Sequence, residues 1–290
     1  MPEPVTRPSG AAIVLVLLSS ASVQVGATVA KQTFPVVGPL GMLWLRLVGA
    51  SLVLLLATAA TRAHRRRHPS ATPAQAHQWM PLLAYAVCLV GMNAAVYQAL
   101  ARLPVGIAVT LEFLGPLTVG VLGSRHARDL LWPVLALAGV ALLGITPTPL
   151  DPLGVAFALV AAACWGGYIL TAAKVGESWS AIDALLLSCL IGAAVVTAPA
   201  LHSSGASLWA VPVLLVGLGV GLLSTAIPYS LEIVALKKLP TRVFGILMSL
   251  EPAVAALAAL ILLGERLSGT DLVAMACVIS ASIGATRSSA

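Results

Sequence analysis

The sequence predicts an all-α membrane protein whose ten transmembrane helices form two inverted five-helix repeats. Of its 290 residues, 59% are hydrophobic and only 9% are charged, and the mean hydropathy is +1.01. A chain of this composition has too few polar side chains to cover the surface of a soluble globule. Apolar runs recur along the whole chain, and each approaches the roughly 20 residues of helix that cross a hydrocarbon core. We therefore expect a polytopic membrane protein.

Each predicted span is an apolar run of about the length of a transmembrane helix. The first is expected to remain in the mature protein, because the polar run Ser19–Gln24 lies in its middle and further spans follow at once. The ten spans cover roughly residues 11–31, 39–60, 80–101, 105–124, 130–146, 154–173, 181–200, 211–236, 243–263 and 269–286.

Lysine and arginine are unevenly distributed between the two sides of this arrangement. If the N-terminus is cytoplasmic, Lys31, Arg102 and Arg266 fall outside and Arg46 falls within a span, so that twelve of the sixteen Lys and Arg residues are left on the inner side. The positive-inside rule then predicts that both termini are cytoplasmic. The formal charge of +6 therefore needs no nucleic-acid partner.

An internal repeat divides the chain into residues 1–147 and 148–290. Five spans in each half is an odd number, so the second copy must be inverted relative to the first. Inverted repeats are frequent in transporters, because two similar halves can exchange an inward-open and an outward-open packing around one site. The matches are Thr28–Lys31 with Thr171–Lys174 at an offset of 143, and Leu103-Pro104 with Leu239-Pro240 and Pro116 with Pro252 at an offset of 136.

Three carboxylates, Glu112, Glu232 and Glu251, interrupt stretches that are otherwise apolar for about twenty residues. A charge at the centre of a membrane helix costs roughly 2.5 to 3.5 kcal/mol on insertion scales, so we expect them to line a polar path through the bilayer. Pro116, one turn after Glu112, frees the carbonyl of that residue, and Pro252 marks a second helix break beside Glu251. A neutral acid that packs at a helix kink is the alternative for both residues, less favoured than a functional role for Glu112 and equally compatible with the sequence for Glu251. Glu232 either reaches the lysines that follow it or acts as a proton relay.

Arg46 is the only basic residue well inside a predicted span, about 10 Å from its outer end at 1.5 Å per residue. A clamp on a ligand carboxylate and a structural ion pair with Glu112 or Glu232 are both open, and we slightly favour the ion pair. Further polar or aromatic candidates for the same pathway are Gln24, Asn93, Tyr97, Trp165, Tyr168 and Tyr229.

Five motifs of this chain resemble the drug/metabolite transporter superfamily, EamA-type, and among its members most of all the threonine and homoserine exporters of the bacterial inner membrane. The resemblance implies proton-driven efflux of small neutral amino acids, with substrate, protons and lipid as partners and without a cofactor. Another transported substrate, such as a drug cation or a nucleotide sugar, is the alternative. The motifs are Gly91–Asn93, Pro104–Pro116, Ala163–Leu170, Leu223–Glu232 and Leu239–Pro252.

The residue pattern argues against an enzyme and against a metal site. His64, His68 and His77 share one basic loop but have no ligand spacing with a carboxylate between them. The four cysteines all fall inside predicted spans and are interpreted as small core residues. A purely structural or sensory membrane protein would not need mid-span carboxylates in both halves.

Overall fold

The computed structural model describes residues 10–67, 78–122, 131–143, 149–236, 238–239 and 241–288, and the regular elements in these ranges are all helical. The histidines His68 and His77 of the basic loop lie outside them. A 3-10 turn, Gly205–Trp209, follows α7, and a π-helical turn, Leu222–Ala226, joins α8 to α9. The helices are α1 Gly10–Arg67, α2 Trp79–Leu100, α3 Val105–Glu112, α4 Leu114–Leu122, α5 Leu131–Leu143, α6 Pro152–Gly176, α7 Ala181–Ser204, α8 Val211–Gly221, α9 Ile227–Leu236, α10 Thr241–Met248, α11 Glu251–Leu263 and α12 Gly269–Ser288.

Several of these helices have the length and composition of membrane spans. Seven segments of the described ranges are long and apolar enough to cross a bilayer, and two shorter apolar helices accompany them. Large apolar side chains on the outside, such as Leu56, Val87 and Ile261, are at least 70% exposed, as expected of side chains that face lipid. The protein is therefore a multi-pass α-helical membrane protein.

Helix α1 consists of two arms that meet at Gly38. This residue has φ 67° and ψ 170°, a conformation outside the helical region that glycine adopts without a steric penalty. Pro39 directly follows and has no N–H to donate to a helical hydrogen bond. We call residues 10–37 the first arm and residues 39–67 the second arm. The predicted first and second spans thus meet at one sharp break instead of a loop.

The predicted fourth and ninth spans, 105–124 and 243–263, are interrupted helices, and the interruptions lie beside Pro116 and Pro252, where the sequence places helix breaks. Helix α3 ends at Glu112 and helix α10 ends at Met248, and each end lies four residues before a proline, Pro116 or Pro252. The missing N–H of each proline leaves the carbonyl four residues earlier without its helical donor. Both short helices have 8 residues, and they start and end at the offset of 136 that relates the two sequence motifs.

Glycines allow the closest helix approaches in the bundle. A Cβ at Gly221 of α8 would lie 2.7 Å from the backbone nitrogen of Ala50 in the second arm. A Cβ at Gly115 of α4 would lie 2.2 Å from the carbonyl oxygen of Ala162 in α6. Such backbone-to-backbone contacts are the usual packing of membrane helices, where small residues allow neighbouring chains to approach.

Candidate functional site

A cavity of about 550 Å³ lies at the centre of the helix bundle, between the two arms of α1, the interrupted helices and the π-helical turn. This volume falls in the range of small-molecule sites. Of the twelve residues singled out from the sequence, ten line it. Pro252 is buried beside the cavity, and the side chain of Tyr229 lies outside the described part of the structure. The ten are Gln24, Arg46, Asn93, Tyr97, Glu112, Pro116, Trp165, Tyr168, Glu232 and Glu251.

Glu112 lies at the break between α3 and α4. It is the last residue of α3 and is 8% exposed. Within the described ranges its carboxylate has no hydrogen-bond or ion-pair partner, and Arg46 acts on it only through a longer-range Coulombic interaction. Because the C-terminal end of a helix presents unpaired carbonyls and partial negative charge, this end of α3 favours a cation.

Glu251 lies beside the break in the other interrupted span, at the start of a helix, whereas Glu112 lies at the end of one. It is the first residue of α11, 5% exposed, and thus lies at the positive end of a helix. It interacts electrostatically with both Glu232 and Glu112, so the three carboxylates share one apolar cavity. Simultaneous ionisation of all three is disfavoured by mutual repulsion unless a cation is present.

Glu232 faces the first arm of α1. Its Oε1 accepts a hydrogen bond of 2.6 Å from the hydroxyl of Ser19, which is fully buried. Glu232 also lines the cavity, and its role as a proton relay stays a prediction. Ser19 was recognised only as part of a polar run in the first span.

Arg46 donates a hydrogen bond of 3.4 Å to the carbonyl oxygen of Ser224 in the π-helical turn. Its guanidinium carbon also lies 5.6 Å from the centroid of the Tyr97 ring. Among the described residues no ion pair joins it to Glu112 or Glu232, and its role in the pathway stays a prediction. The carbonyl exposed by the π-helical turn and the aromatic face provide the contacts instead.

Three deeply buried polar atoms on residues that line the cavity have no hydrogen-bond partner among the described residues. They are Gln24 Oε1, Tyr97 Oη and Ser224 Oγ, on residues that are 3%, 0% and 9% exposed. A buried polar atom left unpaired costs about 1–3 kcal/mol, so such atoms are rare unless a ligand or water completes them. Ser224 lies within a quoted motif, but its side chain was not singled out from the sequence.

Comparison with known proteins identifies the family. Over 277 residues the chain is 42% identical to a protein of Escherichia coli (strain K12) and 41% identical to one of Salmonella typhimurium (strain LT2), both named threonine/homoserine exporter RhtA. Each alignment covers 94% of this chain and 90% of the relative. Residues 152–287 also match the EamA-like transporter family. The chain belongs to this transporter family.

A solved structure supports the same fold. A crystal structure of an 18% identical protein matches 94% of this chain and 96% of its own length with a TM-score of 0.61. At this identity the likeness concerns the fold alone. The resemblance drawn from the five sequence motifs is confirmed by the relatives, which makes this EamA-like chain a transporter and not an enzyme.

The remaining cavity residues of this EamA-like transporter are held by their neighbours. Trp165 packs edge-on against Phe113, with ring centroids 5.1 Å apart. The hydroxyl of Tyr168 lies 3.3 Å from that of Tyr85. The side-chain amide of Asn93 donates to a carbonyl of its own helix at 2.8 Å. Within the described ranges no cluster of three His, Cys, Asp or Glu residues is arranged to hold a metal ion.

Proposed function

We propose that this protein exports small neutral amino acids of the threonine and homoserine type across the bacterial inner membrane, in exchange for protons. The observation that carries the proposal is the cavity, which combines carboxylates that lack an ion-pair partner with a guanidinium in a largely apolar surrounding. An amino acid is a zwitterion, and burying either of its charges without a partner costs several kcal/mol. The relatives named threonine/homoserine exporters support this substrate class.

The substrate ammonium binds at Glu112. Its carboxylate, the freed carbonyl of the same residue and the negative end of α3 all lie at one point of the cavity wall. In transporters with discontinuous helices, such C-terminal half-helix ends coordinate cations at the middle of the membrane. The second interrupted span places Glu251 and Met248 on the same cavity, so both halves contribute to one site.

Ten spans in two inverted repeats, residues 1–147 and 148–290, provide the moving parts. The break at Gly38 divides the segment Gly10–Ala59 into two passes, and the short apolar helices Val105–Val119 and Leu131–Leu143 supply two more beyond the other six long segments. The packing of the helices supports the repeat. In the repeat, the first span corresponds to the sixth and the third to the eighth. A contact between the first arm and α9 should therefore be matched by one between α6 and α2, and both contacts are present.

An ion pair and backbone contacts join the helices at the end that the charge bias assigns to the periplasm. There Lys31 Nζ lies 2.6 Å from Glu265 Oε1 and donates to the carbonyl of Leu103 at 2.6 Å. The other carboxylate oxygen of Glu265 accepts from the backbone N–H of Val105 at 2.8 Å. The lining continues in the opposite direction to Thr286, near the predicted cytoplasmic end of α12. This arrangement fits an inward-facing state of an alternating-access cycle with both termini in the cytoplasm.

Proton coupling follows from competition at Glu112. When ionised, the carboxylate pairs with the substrate ammonium, and when protonated, it needs no counter-charge in the low-dielectric cavity. Proton and amino acid therefore exclude each other at one group, which is the requirement for antiport. The pH gradient across the membrane then drives the substrate outward.

Transport in proteoliposomes tests this function. Vesicles loaded with radiolabelled threonine or homoserine should lose label faster under an imposed pH gradient when they contain the protein than when they do not. Cells that express it should also tolerate growth-inhibiting concentrations of either amino acid better. Equal retention and equal tolerance at verified membrane expression would contradict amino-acid export and favour a drug cation or a nucleotide sugar as substrate.

A further inference from the structure

The π-helical turn Leu222–Ala226 is fastened to both arms of α1. The carbonyl of Leu223 accepts a hydrogen bond of 2.7 Å from Ser22 of the first arm, and the carbonyl of Ser224 accepts from Arg46 of the second arm. A π-helical turn shifts backbone carbonyls out of the regular helical ladder, which makes them available to such donors. The turn therefore fixes the guanidinium at a defined place in the cavity wall.

Gly26 on the first arm leaves room for the hydroxyl of Ser224 in this turn. A Cβ at Gly26 would lie 2.4 Å from Ser224 Oγ, so any larger residue would displace the hydroxyl or the turn. The space is used by a buried hydroxyl that has no partner among the described residues. Since ordinary membrane serines bond to a carbonyl of their own helix, an unpaired hydroxyl on a cavity-lining residue points to a ligand contact.

Arg46 and Tyr97, which also line the cavity, carry further hydrogen-bond donors near this turn. The guanidinium of Arg46 has five N–H donors, and its contacts among the described residues are the carbonyl of Ser224 and the Tyr97 ring. The Tyr97 hydroxyl is fully buried and has no protein partner among the described residues. A guanidinium and two hydroxyls without protein partners can donate hydrogen bonds to both oxygens of a carboxylate. No protein carboxylate in the described ranges fills that position.

We propose that Arg46, Tyr97 and Ser224 form the subsite that binds the α-carboxylate of the transported amino acid, in the same cavity as Glu112. This assignment rests on the proposed export function and adds to it the group by which the substrate class is selected. The unpaired Gln24 oxygen is an acceptor, so it suits the ammonium or a hydroxyl of the same substrate and not its carboxylate.

Comparison of an amino acid with its carboxylate-free analogue tests the subsite. The half-saturating concentration for transport is measured in proteoliposomes with threonine and with threoninol, in which CH₂OH replaces the carboxylate. The wild-type protein should prefer threonine strongly. Ser224→Ala and Tyr97→Phe should each raise the half-saturating concentration for threonine about tenfold to a hundredfold, the range for hydrogen bonds to charged groups, and leave that for threoninol unchanged. Arg46→Gln should abolish the preference.

Ser188→Ala is the matched control. Ser188 is fully buried on α7, bonds to the carbonyl of its own helix at 2.8 Å and does not line the cavity, so its loss should leave the preference unchanged. The ratio of the two half-saturating concentrations does not depend on the amount of folded protein, so reduced expression of a variant does not obscure the result. Variants that match the wild type in this ratio would overturn the subsite while threonine transport persists. Wild-type protein that moves neither compound would overturn the export function itself.

Discussion

Substitution of Gly221 by alanine should destabilise the bundle because three backbone atoms occupy the place of the new methyl group. The ideal Cβ lies 2.7 Å from the nitrogen of Ala50, 2.9 Å from the carbonyl carbon of Gly49 and 3.0 Å from the carbonyl oxygen of Arg46. Backbone atoms cannot rotate away as a side chain can, so α8 and the second arm must separate. Gly219, two residues earlier on the same helix, has no atom within 4 Å of its Cβ position and provides the control.

The expected magnitude follows from these contacts. Overpacking of this kind costs about 1–3 kcal/mol. Alanine gains about 0.5–1 kcal/mol over glycine in a helix interior, and this gain applies to Gly219→Ala as well. The difference between the two variants therefore isolates the packing cost, and Gly221→Ala should be less stable than Gly219→Ala by about 1–3 kcal/mol.

Thermal unfolding of both purified variants in the same detergent measures this difference. Gly221→Ala should unfold at a lower temperature than the wild type, and Gly219→Ala at the same or a slightly higher temperature. Equal unfolding temperatures for the two variants would refute the close packing of α8 on the second arm. Because the crowded atoms include the carbonyl of Arg46, the same variant should also weaken substrate binding.

Three further outcomes are expected. Glu112→Gln keeps shape and hydrogen bonding but cannot titrate, so it should abolish efflux driven by a pH gradient while the protein is still inserted in the membrane. Glu251→Gln should reduce this efflux less. Wild-type efflux by the Glu112→Gln variant would show that Glu112 is a packing acid. In a background without native cysteines, a cysteine at His68 should react with impermeant thiol reagents from the cytoplasmic side and one at Ser203 from the periplasmic side, and labelling of both from one side would refute the inverted arrangement. Glu265→Gln removes the charge opposite the lysine of the first arm and should lower stability by about 1 kcal/mol, which unfolding in detergent can measure against the wild type.

Composition and isolated charges made much of the cavity predictable. A carboxylate within an apolar run, such as Glu112, has few positions open to it in a membrane except one that faces the interior of the bundle. The prolines predicted freed carbonyls, but whether a proline kinks a helix or ends it depends on what packs around it. The sequence therefore predicted the location of each break and not the separation into α3 and α4.

Contacts made by short polar side chains were not predictable from the sequence. A serine in a membrane helix usually bonds to a carbonyl of its own helix, as Ser51 and Ser188 do. Ser19 and Ser224 have the same local sequence character, but Ser19 bonds to a neighbouring helix and Ser224 bonds to no described residue. Only the packing of the helices distinguishes the two cases. The partner of Arg46 was missed for the same reason, since no sequence pattern announced the π-helical turn.

The two eight-residue helices have matching lengths but different chemistry at their ends. The offset that relates α3 to α10 carries Glu112 onto Met248, and it carries Gly115 onto Glu251. The carboxylate of Glu112 thus has an apolar counterpart in the second half. If the two halves exchange conformations, this carboxylate stays on the same side of the cavity. A bound molecule therefore keeps one orientation from entry to release and does not turn over on the way. We expect the protein to discriminate between the enantiomers of an amino acid equally well from either face of the membrane.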